Sequence, residues 1–138
     1  AEAGFSPIFE KVAVRPGKPT WYSERNDQRV LGLPGNPASA FVCAHLFLRA
    51  VLGERGLTPR LTARLAGDLP ANGGREAFLR AALTLAADGA LVAQPADNQD
   101  SSLIRPFLTA NGLIRRVANA PAIAGGEQVE VLRIGALR

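Results

Sequence analysis

Two cations lie three residues apart in a loop with restricted backbone freedom, Arg15-Pro16-Gly17-Lys18-Pro19. The prolines fix part of the backbone, so the guanidinium and the ammonium could be held towards one ligand. Arginine and lysine in such an arrangement suit a phosphate or an oxyanion. A solvated basic turn is the other interpretation, and this loop alone does not decide between the two.

A second anion-friendly feature is the segment Gly32-Leu33-Pro34-Gly35-Asn36-Pro37. Asn36 is a favoured helix N-cap and Pro37 suits the first helical position, so a strand is predicted to feed a helix through a tight turn. The free N–H groups of that first turn, with the Ser39 hydroxyl, could bind an anion. An ordinary capped turn would have the same sequence.

Two later features could add further polar groups. In a predicted strand, Leu79 and Ala81 share one face while Phe78 and Arg80 share the other, so Arg80 is expected to leave the core. A cross-strand salt bridge is its ordinary role. The polar loop Asn98-Gln99-Asp100-Ser101-Ser102 could bind an anion through hydroxyl and N–H groups, although most such loops only turn the chain.

Other kinds of chemistry find little support in the composition. Cys43 is the single cysteine, so an internal disulfide is excluded. His45 is the single histidine, and without a His/Cys cluster a zinc site or a catalytic triad is not expected. No metal ligand or catalytic residue is therefore predicted. Cys43 lies in an apolar run and is expected to be a buried, inert thiol, which fits a reducing, cytoplasmic setting. The net charge of +4 is spread along the chain. No stretch is long and apolar enough for a membrane span, and no secretory signal is visible.

The first part of the chain must position the two loops. We predict strands at residues 9–14 and 29–33, with a polar, hairpin-like connection at 21–28 that has Asn26-Asp27 as its turn. A helix is predicted from Pro37 to about residue 52, capped by Gly53 and buried on most sides, either against a sheet or at an interface. Residues 1–57 are therefore interpreted as an α/β piece.

The second part changes character after a Gly- and Pro-containing linker. Short alternating segments predict strands at residues 60–65, 77–86, 90–94, 113–117 and 129–134. Asp88-Gly89 is a strong two-residue hairpin signal. Residues 58–138 are therefore expected to form a small all-β domain, either a barrel or a sandwich.

The order of the motifs is more specific than any one of them. In chain order they are Val14-Arg15-Pro16-Gly17-Lys18-Pro19, Gly32-Leu33-Pro34-Gly35-Asn36-Pro37-Ala38-Ser39, Gly74-Arg75-Glu76-Ala77-Phe78-Leu79-Arg80, Ala87-Asp88-Gly89, Asn111-Gly112-Leu113-Ile114 and Gly125-Gly126-Glu127-Gln128-Val129-Glu130-Val131. From about residue 8 to residue 134 this series resembles the molybdopterin molybdenumtransferases of the MoeA, plant and gephyrin-type family.

The resemblance implies a fold and a function. The fold would be the C-terminal part of a molybdopterin-binding α/β domain followed by a β-barrel-like domain. The enzyme would insert molybdenum from molybdate into adenylylated molybdopterin and release AMP, with Mg²⁺ assisting. It would work as a cytoplasmic homodimer, without membrane or nucleic-acid partners.

The same resemblance assigns residues to the molybdate and molybdopterin-phosphate site. The positions that match the family's motifs are Arg15, Lys18, Pro19, Gly35, Asn36, Ser39, Arg80 and Ser101. Asp100 replaces a glycine of the family's Gln-Gly-Ser-Gly loop, and a carboxylate there would oppose anion binding unless it points away. The family's Gly-Gly-Xaa-Ser-Xaa-Gly motif and most of its acidic Mg²⁺ ligands would lie upstream of this chain, which has no Met. The chain is therefore expected to be a fragment that is inactive alone.

Two alternative functions stay open at this point. Gephyrin-type relatives also anchor other proteins, so a non-catalytic scaffold module is one. A small basic β-barrel that binds nucleic acid is the other.

Overall fold

The computed structural model describes residues 4–53, 59–100 and 109–137. Its first sheet has the order β1-β3-β4 and is antiparallel, with β1 at Ser6–Phe9, β3 at Trp21–Arg25 and β4 at Gln28–Gly32. The predicted 21–28 connection is wrong in part, because most of it is strand β3. The turn at its end is where the sequence places it, since Asn26 has the left-handed φ of 51° between β3 and β4.

The prediction of a single strand at residues 9–14 is also wrong. The chain instead forms β1 and then a separate short strand, β2 at Val14–Arg15, which belongs to the second sheet. The alternating pattern over residues 9–14 spans the passage from one sheet to the other, and it contains no signal for that change of partner.

One helical run follows β4. It comprises α1 at Pro37–Cys43, a π-helical turn at Ala44–Leu48 and α2 at Arg49–Val51. Its start is as predicted, with Asn36 in the N-cap position and Pro37 first. Packing within the chain covers only part of the helical run, because Phe41, Leu48 and Leu52 are exposed in the single chain. The buried stripe of α1 is Ala38, Ser39, Val42 and Cys43.

The second sheet is a closed, barrel-like domain, which confirms the prediction for this part of the chain. Its strands lie within one residue of the predicted ones: β5 at Arg60–Leu65, β6 at Glu76–Leu85, β7 at Leu91–Pro95, β8 at Gly112–Arg116 and β9 at Gln128–Arg133. Their order is β2-β6-β7-β5-β9-β8, and pairing of β6 with β8 closes a ring of five strands.

The long strand β6 has an interruption along one edge, and this gap positions the candidate site. One edge pairs with β8 from Ala77 to Ala81. The opposite edge pairs in parallel with β2 at residues 76 and 77, and antiparallel with β7 from Ala81 onwards. Residues 78–80 therefore lie between the two partner strands, and at the end of this stretch the Arg80 carbonyl accepts the N–H of Ala96, which directly follows β7.

Both faces of β6 are covered. Ala81 and Leu83 point into the barrel core, whereas Phe78 packs on the other face with Val14 of β2 and Val42 of α1. Arg80 lies on the Phe78 face, away from the barrel core as expected, but it is not exposed there, because only 2% of the residue is accessible to solvent. The N-terminal part of the chain covers this second face of β6 through Val14 and Val42. No helix in the described ranges has the length and apolar character of a membrane span.

Candidate oxyanion site

A cavity of about 490 Å³ opens at the gap between β2 and β7. Four segments of the chain meet there: the loop after β2, the helix α1, the strand β6 with the residue before it, and the connection after β7. The described residues that line the cavity are Arg15, Pro16, Gly17, Lys18, Pro19, Ser39, Arg75, Phe78, Leu79, Arg80, Gln99 and Asp100.

Most of the predicted site residues come together in this cavity. The lining contains Arg15, Lys18, Pro19, Ser39 and Arg80. Gly35 and Asn36 are not part of it, so the helix turn contributes Ser39 rather than its N-cap. Ser101 lies outside the described residues, and its predicted role stays a prediction.

The backbone of the loop that carries Arg15 and Lys18 is fixed by hydrogen bonds and by packing against α1. Gly17 has φ 129°, a conformation that L side chains rarely adopt. The buried Thr20 hydroxyl lies 2.8 Å from the Gly17 carbonyl oxygen and 3.1 Å from the Cys43 sulfur. The Val12 N–H donates to the Lys18 carbonyl at 3.1 Å. The backbone is therefore anchored to α1, while Arg15 and Lys18 remain exposed on the cavity side.

Cys43 contributes to this anchoring and not to the cavity. The residue is fully buried, as predicted. Burial raises the pKa of the Cys43 thiol, and the hydrogen bond with Thr20 opposes the shift. A thiol with a raised pKa is a poor nucleophile, which agrees with the predicted inert role.

Arg80 contributes a positive charge at the buried end of the cavity. Its Nη2 donates to the carbonyl oxygens of Asp100 at 3.0 Å and Asn98 at 3.3 Å. Burial lowers the pKa of the Arg80 guanidinium, and the Asp100 carboxylate opposes that shift. Arginine starts from so high a pKa that the group stays charged at neutral pH.

The electrostatic balance of the cavity favours an anion. Among the described lining residues, Arg15, Lys18, Arg75 and Arg80 are cationic and Asp100 is the one carboxylate. Ser39, which is 5% exposed, adds a hydroxyl. Fixed cations with a hydroxyl donor are the groups that bind a phosphate or another tetrahedral oxyanion.

Sequence reasoning did not select Arg75 or Gln99 for this site. Arg75 belongs to the same quoted motif as Arg80, so its charge and position were available as a signal. Gln99 matches the Gln of the family's Gln-Gly-Ser-Gly loop, but that motif does not reveal its contacts with the backbone of β6.

A second cavity of about 380 Å³ adjoins the first and shares Arg15, Leu79 and Gln99 with it. Its wall is more apolar and includes Leu69, Pro70 and Pro95, with Asp68 and Asp97 as its carboxylates. The two cavities together could accommodate an anionic group and an uncharged portion of the same ligand.

The described residues do not fit a metal centre. Within residues 4–53, 59–100 and 109–137, no group of three or more His, Cys, Asp or Glu side chains is placed to hold an ion. The first cavity has Asp100 as its one described carboxylate, beside four cations. No chemical step is therefore assigned to Mg²⁺ at these residues.

Comparison with known families decides the family of the chain. Residues 62–134, more than half of its length, match the family described as MoeA C-terminal region (domain IV). The chain belongs to this MoeA family.

Individual MoeA-type relatives agree with that assignment. The molybdopterin molybdenumtransferase of Bacillus subtilis is 32% identical over 136 residues, which is 95% of this chain and 31% of the relative. The molybdenum cofactor synthesis protein cinnamon of Drosophila melanogaster is 33% identical over 127 residues, which is 85% of this chain and 21% of the relative. The chain thus spans at most about a third of these two relatives.

Solved structures give the same result for the fold. The molybdopterin biosynthesis MoeA protein of Pyrococcus horikoshii matches with a TM-score of 0.77 and 27% identity, over 98% of this chain and 34% of that one. A molybdenum cofactor biosynthesis protein of Pyrococcus furiosus matches with a TM-score of 0.75 and 26% identity, over 94% of this chain and 46% of that one.

Proposed function

We propose that this chain forms one wall of the substrate site of a molybdopterin molybdenumtransferase. The complete enzyme would insert molybdenum from molybdate into adenylylated molybdopterin and release AMP. The observation that carries the proposal is the cavity in which four cations and the Ser39 hydroxyl surround space for an oxyanion. Molybdate is a tetrahedral dianion and needs such an environment.

The cavity residues would act by positioning and electrostatics. Lys18, Arg15 and Ser39 would bind the oxygens of molybdate or of the pterin phosphate, and Pro19 would shape the same wall. Arg80 would supply positive charge from the buried end of the cavity. Groups held in place before the ligand arrives lose little free energy to reorganisation, which is the basis of electrostatic catalysis. None of these residues needs to form a covalent intermediate.

The remaining parts of the proposal concern the protein beyond this cavity. We infer that residues 1–57 are the end of a molybdopterin-binding α/β domain and that residues 58–138 are the barrel-like domain. The full enzyme would be a cytoplasmic homodimer that uses Mg²⁺ held elsewhere in the protein. The relatives are longer than this chain, which supports a Mg²⁺ site in other parts of the full enzyme.

Complementation of a molybdenumtransferase-deficient strain tests the proposal. A full-length gene that contains this chain should restore molybdoenzyme activity, and Lys18→Ala in that gene should abolish most of it. Loss of one charge-assisted contact costs about 1.5–3 kcal/mol, so we expect binding about 10- to 100-fold weaker.

Lys11→Ala is the matched control. Lys11 is an exposed lysine of the same part of the chain, but it lines a separate groove and not the oxyanion cavity. The Lys11 variant should complement like the wild type. Full complementation by the Lys18 variant would show that the site assignment is wrong.

A further inference from the structure

Gln99 fills the gap along β6 that the strands leave open. Its Oε1 accepts the Arg80 N–H at 2.9 Å, and its Nε2 donates to the Arg80 carbonyl at 2.9 Å. The same Nε2 donates to the Ala96 carbonyl at 3.0 Å. The Arg80 carbonyl also accepts the Ala96 N–H at 2.8 Å, so the Gln99 amide is inserted between the Arg80 N–H and the Ala96 carbonyl, just after β7 ends at Pro95.

The contact between Gln99 and Arg80 is reciprocal. The Gln99 side chain holds the Arg80 backbone, while the Arg80 side chain holds the carbonyl oxygens of Asn98 and Asp100, on either side of Gln99. The Asp100 N–H donates to the Asn98 Oδ1 at 2.7 Å. Movement of Gln99 would thus shift both the buried cation and the loop that carries Asp100.

Asn111 makes an equivalent contact on the opposite edge of β6. Its Oδ1 accepts the Leu83 N–H at 2.6 Å and its Nδ2 donates to the Leu83 carbonyl at 3.0 Å, beyond the end of the β8 pairing. Asn111 is 5% exposed and does not line the oxyanion cavity. It therefore has the same backbone-pairing role without the same neighbours.

We propose that Gln99 is a positioning residue of the oxyanion cavity, acting through Arg80. It keeps the Arg80 guanidinium and the 98–100 loop in the geometry that admits a dianion. The inference rests on the proposed function, because it concerns affinity for the anion that the cavity takes. It gives Gln99 no direct contact with the ligand.

The test measures sulfate binding by the wild-type chain and by Gln99→Met and Gln99→Glu, with calorimetry and a melting curve for each. Sulfate is the probe because it stays a dianion in acid. Gln99→Met keeps the length and removes the hydrogen bonds, and about tenfold weaker binding is expected.

Gln99→Glu adds a readout that a general loss of stability would not change. At neutral pH its second oxygen would face the carbonyl oxygens of Arg80 and Ala96, so binding should be weaker than in Gln99→Met. Once the pH falls below the ordinary glutamate value of about 4.3, the protonated acid can again donate. Sulfate affinity should then return to within about threefold of the wild type at the same pH.

Asn111→Asp is the matched control, since it makes the same amide-to-acid change on the other edge of β6. It should lower the melting temperature and leave sulfate affinity within about twofold. The inference is overturned if both Gln99 variants bind sulfate as the wild type does, or if Asn111→Asp weakens binding equally. If the wild-type chain binds neither sulfate nor molybdate, the proposed function itself is wrong and the inference falls with it.

Discussion

Asp100 contributes a negative charge to a cavity wall that is otherwise rich in positive charge. Its backbone carbonyl accepts a hydrogen bond from Arg80, so the residue is tied to the buried cation. Its carboxylate is near enough to oppose the fall in the pKa of Arg80. In the family pattern that the chain resembles, a glycine occupies this place. The carboxylate should therefore reduce the affinity for dianions without removing it.

Replacing Asp100 with asparagine tests this effect at the scale of one residue. Asp100→Asn keeps the backbone contacts and removes the charge, so molybdate binding should become about three- to tenfold tighter, with a smaller gain at high salt. Titration calorimetry at two salt concentrations measures both effects. Asp97→Asn is the control, because Asp97 is an exposed carboxylate of the same connection that lines the second cavity. Weaker binding by Asp100→Asn would instead show that the carboxylate assists the ligand.

The loop between β2 and β3 has its shape because Gly17 lies against α1. A Cβ at Gly17 would overlap the Cys43 sulfur and crowd Val14, and the φ of 129° already disfavours any side chain. The loop carries Arg15 and Lys18, so its packing against the helix and the shape of the cavity are coupled.

Gly17→Ala is therefore expected to destabilise the protein by about 2–4 kcal/mol and to weaken oxyanion binding. Denaturant unfolding and calorimetry measure the two effects. Gly35→Ala supplies the comparison, because a Cβ at Gly35 meets nothing within 4 Å and the residue has no left-handed φ. It should change stability by less than about 0.5 kcal/mol. Equal effects of the two substitutions would refute the packing explanation.

The elements also show what the sequence could predict and what it could not. Strands β5 to β9 and the start of α1 are predictable because alternation, turn residues and a capping pair are local signals. The oxyanion cavity is predictable as a set of residues because the family's motif order links them. The burial of Arg80 is not, since alternation identifies two faces of β6 but not the element that covers the second one. Gln99 belongs to a loop that the family pattern marks, but its contact with the Arg80 backbone is not predictable, because it depends on how two segments distant in sequence pack together.

The two parts of the chain share a hydrophobic cluster, which has a consequence for the whole molecule. Val14 and Val42 from the first part pack with Phe78, Leu113 and Leu132 of the barrel. Val42 is fully buried in this cluster. Unfolding of either part would expose apolar surface on the other, so we expect the chain to unfold cooperatively.

Val42→Ala should lower the stability of both parts by the same amount, about 1–3 kcal/mol. Fluorescence of Trp21, the single tryptophan, reports on the first sheet, and far-ultraviolet circular dichroism is dominated by the barrel strands. The two denaturation curves should coincide in the wild type and should shift together in the variant. Two separate transitions, of which one is unaffected by Val42→Ala, would contradict this expectation.

Oxyanion binding at the gap between β2 and β7 is central to the proposed function. The most direct measurement is a molybdate titration of the chain followed by heteronuclear NMR. Saturable binding is expected with a dissociation constant of about 1 mM or tighter, which corresponds to two or three charge-assisted hydrogen bonds. The resonances that shift should be those of residues 15–18, 39, 75–80, 99 and 100, and Lys18→Ala should weaken the binding. No saturable shift, or shifts spread over basic residues outside the cavity such as Arg64, would contradict the assignment.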